Sequence, residues 1–310
     1  MQGKEFWQSR LRKMGPGLAV LILGIALSIM SDRFLTVNNI LNVLRQVSIN
    51  TIIACGMTMV ILTGGIDLSV GPVLALSAAI MAGLAASGTS PVIAVLVGLT
   101  IGAGLGLANG IIVTRGKVAP FVATLATMTI ARGLTLVYTQ GRPITGLPES
   151  LRSMGTAYVG PIPLPIIFMA VIVGLTYLVL AHTPFGRFIY AVGSNEEAAR
   201  FSGISVKWVT TLTYTLAGLG AAMAGVILTG RLNSAQPTAG TGFELDAIAA
   251  VVLGGTSLSG GKGSVLGTVI GALIIGILDN GLNLLNVSSF YQQVAKGAVI
   301  LVAVLIDRRK

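Results

Sequence analysis

Few side chains in this 310-residue sequence are equipped for chemistry. His182 is the only histidine and Cys55 the only cysteine, so neither an intrachain disulfide nor a cysteine-cluster metal site can form. His182 stands beside Thr183 and Pro184 at the end of an apolar run, a boundary position rather than a catalytic one. Cys55 lies inside another apolar run and reads as a small packed hydrophobe. No Ser/His/Asp set, paired-carboxylate arrangement or His-Glu-x-x-His motif is readable. The residue types therefore predict no catalytic residues, no metal and no cofactor.

Two stretches imitate nucleotide-binding motifs. Leu258-Ser259-Gly260-Gly261 looks like an ATPase signature, and Gly261-Lys262 looks like the end of a phosphate-binding loop. Such a loop needs a glycine five positions before its last one and Ser or Thr after the lysine. Those positions hold Thr256 and Gly263, so the glycines predict a tight turn and no ATP hydrolysis by this chain.

What remains is a small set of polar groups inside apolar segments, where an ionisable residue marks a functional site by default. Asp67 lies in Gly64-Gly65-Ile66-Asp67-Leu68-Ser69-Val70-Gly71-Pro72, where glycines and a proline interrupt the apolar pattern. Asp67 and Ser69 are placed to cap the helix that restarts after them. Asp279 and Lys296 sit equidistant from a turn around Val287 and Ser288, hence at equal depth, and are expected to neutralise each other across that hairpin. Asn109, Asn280 and Asn283 are uncharged polar residues within spans. Asp279, Asn283 and Asn286 fall on one helical face, a stripe that either lines a hydrophilic path or bonds across helices.

The segments carrying these groups are membrane-like. Hydrophobic residues make up 54% of the chain and charged residues only 10%, against about 25% charged in an average soluble domain. The apolar runs approach or exceed the roughly 18 residues that mark a bilayer span. They predict an all-α, polytopic transmembrane bundle of about ten spans, over residues 15–33, 47–64, 67–87, 91–113, 118–139, 164–182, 208–229, 245–260, 264–286 and 289–306. The basic start (Arg10, Arg12, Lys13) precedes an uncleaved first span. Span 245–260 is short and ends in glycines, and a broken or re-entrant segment is the alternative reading.

Charge sets the orientation. Lys4, Arg10, Arg12, Lys13, Arg115, Lys117, Arg187, Arg200, Lys207, Lys262, Arg308, Arg309 and Lys310 share one side, which the positive-inside bias makes cytoplasmic, with both termini. Arg33, Arg142, Arg152 and Arg231 fall on the other, with Arg45 near it. The formal net charge of +10 is thus spread in short clusters between apolar runs, which excludes a nucleic-acid-binding face. Gly98, Gly102, Gly106 and Gly110 recur every four residues, as do Gly267 with Gly271 and Ala217, Ala221 with Gly225. Small residues at that spacing let helices approach closely in lipid and predict a tight bundle.

The longest cytoplasmic segment is 183–207. Ser194 or Asn195 suits an N-cap, Glu196 and Glu197 suit a first helical turn, and Gly203 suits a C-cap. A short helix outside the bilayer is expected, with Ala198 and Phe201 among its less polar positions.

That stretch, Gly193-Ser194-Asn195-Glu196-Glu197-Ala198-Ala199 followed by Gly203, resembles the coupling-helix motif of ABC importer permeases. Thr63-Gly64-Gly65-Ile66-Asp67-Leu68-Ser69-Val70-Gly71 is similar to the ribose-type permeases of the branched-chain amino acid and sugar permease family, as are 234–250 and 251–263. The resemblance covers nearly the whole chain as one permease domain, 1–310. It implies a permease homodimer in the lipid of a bacterial cytoplasmic membrane, translocating a monosaccharide such as ribose. An ATPase subunit would dock on 183–207 and an extracytoplasmic sugar-binding protein would deliver the solute. A secondary, ion-coupled transporter or facilitator is the main alternative, with Asp67, Asp246 and Asp279 as its possible coupling carboxylates. An intramembrane enzyme lacks candidate groups.

Overall fold

A computed structural model describes residues 2–307. Arg308, Arg309 and Lys310 lie outside the described residues, as do the side chains of Lys4, Arg10, Arg12 and Lys13. The helices are α1 (Gln2–Met30), α2 (Val37–Leu62), α3 (Val70–Ala86), α4 (Pro91–Thr114), α5 (Pro120–Thr139), α6 (Glu149–Thr156), α7 (Leu164–His182), α8 (Pro184–Ser194), α9 (Glu196–Phe201), α10 (Val206–Leu232), α11 (Phe243–Leu253), α12 (Val265–Leu284) and α13 (Ser289–Asp307). A hairpin of β1 (Tyr158–Val159) and β2 (Ile162–Pro163) is the one departure from helix among the described elements.

Proline and hydroxyl residues set many of the helix starts. Pro91, Pro120 and Pro184 occupy first turns, where a missing N–H costs nothing. Thr36 and Ser264 cap α2 and α12 through their side chains. Six helices among the described residues, α2, α4, α5, α7, α10 and α12, are long and apolar enough to cross a membrane. Gly15–Met30 and α3 are apolar but shorter.

The core forms around α2 and α10, whose most apolar stretches are 78% and 61% buried, whereas those of α4, α5 and α7 are only 22%, 28% and 17% buried. The outer helices therefore turn Val92, Leu96, Phe121, Ile130, Val171 and Leu175 outward. A water-soluble surface does not carry so broad an apolar face, and lipid tolerates it. Glycines make the inner contacts: the α-carbons of Gly102, Gly106 and Gly110 on α4 abut the backbone of α10 at Gly218, Tyr214 and Thr211, and Gly267 and Gly271 of α12 abut Gly254 and Ala250. Gly106→Leu is accordingly expected to separate α4 from α10, costing at least about 1–3 kcal/mol. Gly104 has open space around it, and Gly104→Leu should leave the thermal midpoint of the detergent-solubilised protein nearly unchanged. Equal midpoints for the two variants would refute this packing.

The bundle has two distinguishable ends. At the lower end the C-terminus of α2 meets Gly193 and the turn at Gly260 and Gly261. At the upper end the C-terminus of α10 meets Gly155 of α6, and Arg45 of α2 lies over Tyr158. Hence α2 and α10 run antiparallel. The same five residues, Val60-Ile61-Leu62-Thr63-Gly64 and Val226-Ile227-Leu228-Thr229-Gly230, span or closely precede the two helix C-termini at Leu62 and Leu232. Each helix then gives way to an irregular segment, 63–69 or 233–242, and a shorter helix, α3 or α11. Each continues into a long helix carrying Asn-Gly, at Asn109-Gly110 or Asn280-Gly281. The α2–α5 and α10–α13 units thus repeat one order of elements in opposite directions, each with an irregular segment ahead of its shorter helix.

Three sequence-based expectations change. Residues 245–260 do not form a helical span: α11 stops at Leu253, and its 11 residues reach only about 16 Å, half the hydrocarbon thickness. Gly255, Gly260 and Gly261 have positive φ and turn the chain there. The segment 183–207 holds two helices, because Thr183 caps α8 by accepting from Gly186 N, and α8 buries Ile189 and Val192. Asn286 leaves the expected polar stripe, since α12 ends at Leu284 and Asn286 sits at φ 55° in the turn.

Candidate functional site

Each repeat holds a polar cluster at its shorter helix. In the first repeat, Asp67 Oδ1 accepts from Ser69 N (2.8 Å) and from Ser69 Oγ (2.6 Å). Ser69 Oγ accepts from Asn109 Nδ2 (2.9 Å), and Thr127 Oγ1 donates to Asn109 Oδ1 (2.6 Å). The chain ties α3, α4 and α5 together. Ser69 is the N-cap residue of α3 but makes no side-chain cap, so Asp67 holds the turn before the helix rather than the helix N-terminus itself. Asp67 is buried and its Oδ2 has no partner among the described residues. The backbone ahead of it is held by Tyr214 Oη and Thr124 Oγ1, both donating to Ile66 O at 3.3 Å.

In the second repeat the cluster is ionic. Lys296 Nζ lies 2.9 Å from Asp279 Oδ2 and 3.1 Å from Asp246 Oδ2, joining α13, α12 and α11. The expected Asp279–Lys296 pair is present, with Asp246 as a third member. One cation facing two carboxylates leaves the triad formally negative. Asn283 accepts from Gln292 Nε2 at 2.9 Å, and Asn280 exchanges two hydrogen bonds with Asn39 of α2 (2.9 and 2.8 Å). The asparagines therefore bond across helices.

A third feature lies at the lower end. Asn195 Oδ1 accepts from Ala198 N at 2.9 Å and caps α9, Glu196 and Glu197 form its first turn, and Gly203 takes φ +83° after its last residue. Asn195, Glu196, Glu197, Ala198 and Gly203 are exposed, Ala199 is buried, and Phe201 is 82% exposed. Trp208 is 55% exposed and stacks edge-on against Phe185. An aromatic tip on a polar helix is an arrangement that waits for a cover.

This segment is wired to both repeats. Gly193 packs against the carbonyl of Leu62 and against Gly261, and Gly261 N donates to Leu62 O at 2.9 Å. Tyr190 Oη donates to Gly263 O at 3.0 Å, and burial pushes this phenol above the usual tyrosine range, keeping it a donor. The glycine turn that imitated a nucleotide motif is therefore the joint between α8, α2 and the α11–α12 connection. Beside it, Lys117, Arg200 and Lys207 with Glu196, Gly64, Gly65 and Tyr214 line a cavity of about 630 Å³. That cavity leads from the lower surface toward the backbone before Asp67.

The sequence reading did not single out Arg132, Glu244, Tyr190 or Tyr214. Arg132 interrupts the apolar run of α5, and that break was the available signal. Among the described residues no group of three or more His, Cys, Asp or Glu side chains is placed to hold a metal ion.

The family described as branched-chain amino acid transport system / permease component matches residues 39–304. The chain is 60% identical to the ribose import permease protein RbsC of Bacillus subtilis (strain 168), over 97% of this chain and 94% of that one. It is 51% identical to the ribose import permease protein RbsC of Escherichia coli (strain K12), over 99% and 97% of the two chains. Identity to the D-allose transport system permease protein AlsC of Escherichia coli (strain K12) is 40%, over 94% and 90%. No solved structure gave a significant match.

Proposed function

Because this chain belongs to the family of branched-chain amino acid transport system permease components, we propose that it is the membrane subunit through which an ATP-driven importer passes ribose. The near full-length identity to two ribose import permeases, against the lower identity to a D-allose permease, favours ribose over another monosaccharide. The observation that carries the mechanism is the exposed α8–α9 segment seated on the joints of both repeats.

In this reading α9 is the docking tip for a separate ATPase chain, with Phe201 filling a pocket on it and Asn195, Glu196, Glu197, Ala198, Ala199 and Gly203 shaping the contact. Gly193 is the pivot: it faces inward and passes motion of α8 to the Leu62 and Gly261 backbones. ATP binding and hydrolysis occur on the partner, and this chain contributes no catalytic group. The lower end faces the cytoplasm, which matches the gathering of Lys117, Arg200 and Lys207 there. The chain crosses the bacterial cytoplasmic membrane about ten times as a single domain, α11 together with 233–242 making one crossing and α3 with 63–69 another. The apolar faces of the outer helices cover lipid and a second copy of the chain. An extracytoplasmic binding protein delivers sugar to the upper end, where α6 and the β-hairpin project.

The test is uptake in a bacterium deleted for its own ribose transport. Radiolabelled ribose should enter only when this chain is expressed with its ATPase and binding protein. An ATPase chain disabled at its phosphate-binding lysine should reduce uptake to background. Undiminished uptake with the disabled ATPase would overturn the reading.

A further inference from the structure

Residues 233–242 connect α10 to α11 by entering the bundle from its upper end. Ala235 packs with Leu147 against Ala82 of α3, while Gly240 touches Gly71 at the start of the same helix. The connection thus passes from the last turn of α3 to its first by consecutive turns: Ala239 N donates to Gln236 O at 3.0 Å and Phe243 N to Gly240 O at 3.2 Å. At its deepest point it is neither helix nor strand. Thr238 and Thr241 are nevertheless exposed there, and Gln236, Gly242 and Glu244 are half-buried. Irregular backbone at membrane depth does not face lipid, because its N–H and C=O groups would go unsatisfied; it lines water or protein.

Two charged side chains converge on this segment. Arg132 of α5 donates from Nη1 to Pro237 O (2.7 Å) and Ala239 O (2.9 Å). These are its hydrogen bonds among the described residues, so donors of its five remain. Glu244, in the first turn of α11, has a buried Oε2 with no partner among the described residues, placed beside Gly71. The N-termini of the two shorter helices meet at this point, as in transporter sites built at repeat interfaces. Opposite formal charges cancel, leaving spare N–H donors, a spare carboxylate acceptor, the Thr238 hydroxyl and the acceptor side of the Thr241 hydroxyl, whose proton goes to Thr238 O at 2.8 Å. That combination suits an uncharged ligand with many hydroxyl groups.

We propose that Arg132, Glu244, Thr238 and Thr241 form the station at which the sugar is held during its passage. The assignment rests on the proposed import function and names where that function handles its substrate. Arg132 positions the segment and offers donors; Glu244 accepts from sugar hydroxyls; the threonine hydroxyls complete the shell.

Two measurements decide it. In a C55S background, T241C should react with a membrane-impermeant, hydrophilic thiol reagent, and ribose at high concentration should slow the reaction severalfold whereas leucine should not. Reaction with a lipophilic reagent only would place Thr241 against lipid or a second copy and overturn the site, whether or not the chain imports ribose. In the complete transporter, E244Q should lower ribose uptake at least tenfold while stimulation of the ATPase by sugar-loaded binding protein stays within twofold of wild type. Unchanged uptake, or a parallel fall of both activities, would show that Glu244 is dispensable or merely structural. Failure of the wild-type chain to import ribose would instead refute the function proposed above, and T241C labelling would still decide whether the segment meets water and sugar.

Discussion

Replacing Lys296 with methionine is expected to cost about 3 kcal/mol, the lower part of the range for removing one partner of a buried ion pair. The lower part applies because the lysine side chain is 24% exposed, so water screens the carboxylates to some extent. Asp246 and Asp279 would be left facing each other across α11 and α12 without a cation. The loss of membrane-inserted, monodisperse protein on size exclusion should be nearly complete at 37 °C. Combining D246N and D279N with K296M should recover most of it, because neutral amides restore hydrogen bonding without uncompensated charge. The triad also changes what charge exchange should do. Swapping only Asp279 and Lys296 places a carboxylate at 296 beside Asp246, so D279K/K296D should remain impaired. Full recovery by that swap would show that Asp246 takes no part.

Phe201→Ala is the second variant with a large expected effect. A mostly exposed aromatic at the tip of a capped helix has the character of an interface anchor, and such anchors contribute about 2 kcal/mol or more, roughly a thirtyfold change in affinity. The purified permease should therefore lose its ATPase partner on washing, while its own thermal midpoint stays within a degree or two, because Phe201 makes few contacts within the chain. Glu197→Lys should act on the same contact, uncoupling ATP hydrolysis from uptake without affecting insertion. Gly203 presents a contrast: it needs positive φ but has open space around it, so Gly203→Asn should be tolerated where Gly203→Val is not. If F201A retained its partner at wild-type affinity, α9 would not be the docking tip.

The legible parts of the fold were those fixed by local pattern. Apolar length marked the six helices long and apolar enough to cross a membrane, and small residues at four-residue spacing marked close helix packing, which the structure places between α4 and α10 and between α11 and α12. Asn195 and Gly203 delimited α9 because caps are local. The chain misled where tertiary position decided. Residues 245–260 read as a short span with a broken or re-entrant segment as the alternative; glycines with positive φ follow the helix end at Leu253, and the irregular segment 233–242 precedes it. The repeat Val-Ile-Leu-Thr-Gly at 60–64 and 226–230 would have pointed to that symmetry.

The polar sites show the same division. Asp279 and Lys296 could be paired from their spacing about one turn, but Asp246 lies 50 residues from Lys296 and joins it only through the packing of α11 against α13. Asn109 reads as an isolated polar residue until α3 and α5 bring Ser69 and Thr127 to its two sides. Gly260 and Gly261 read correctly as a turn, but not as the seat of α8, since nothing local ties them to Gly193. Long-range partners of this kind, in a bundle whose helices are connected through its ends, leave no periodic trace.

The proposed ATP-driven transport is tested most directly in proteoliposomes. Purified chain should be reconstituted with its ATPase and supplied with sugar-loaded binding protein on the side of α6 and the β-hairpin and with ATP on the side of α9. Ribose should accumulate inside against its gradient only with ATP and both partners present. Accumulation by this chain alone, driven by a proton or sodium gradient without ATP, would contradict it.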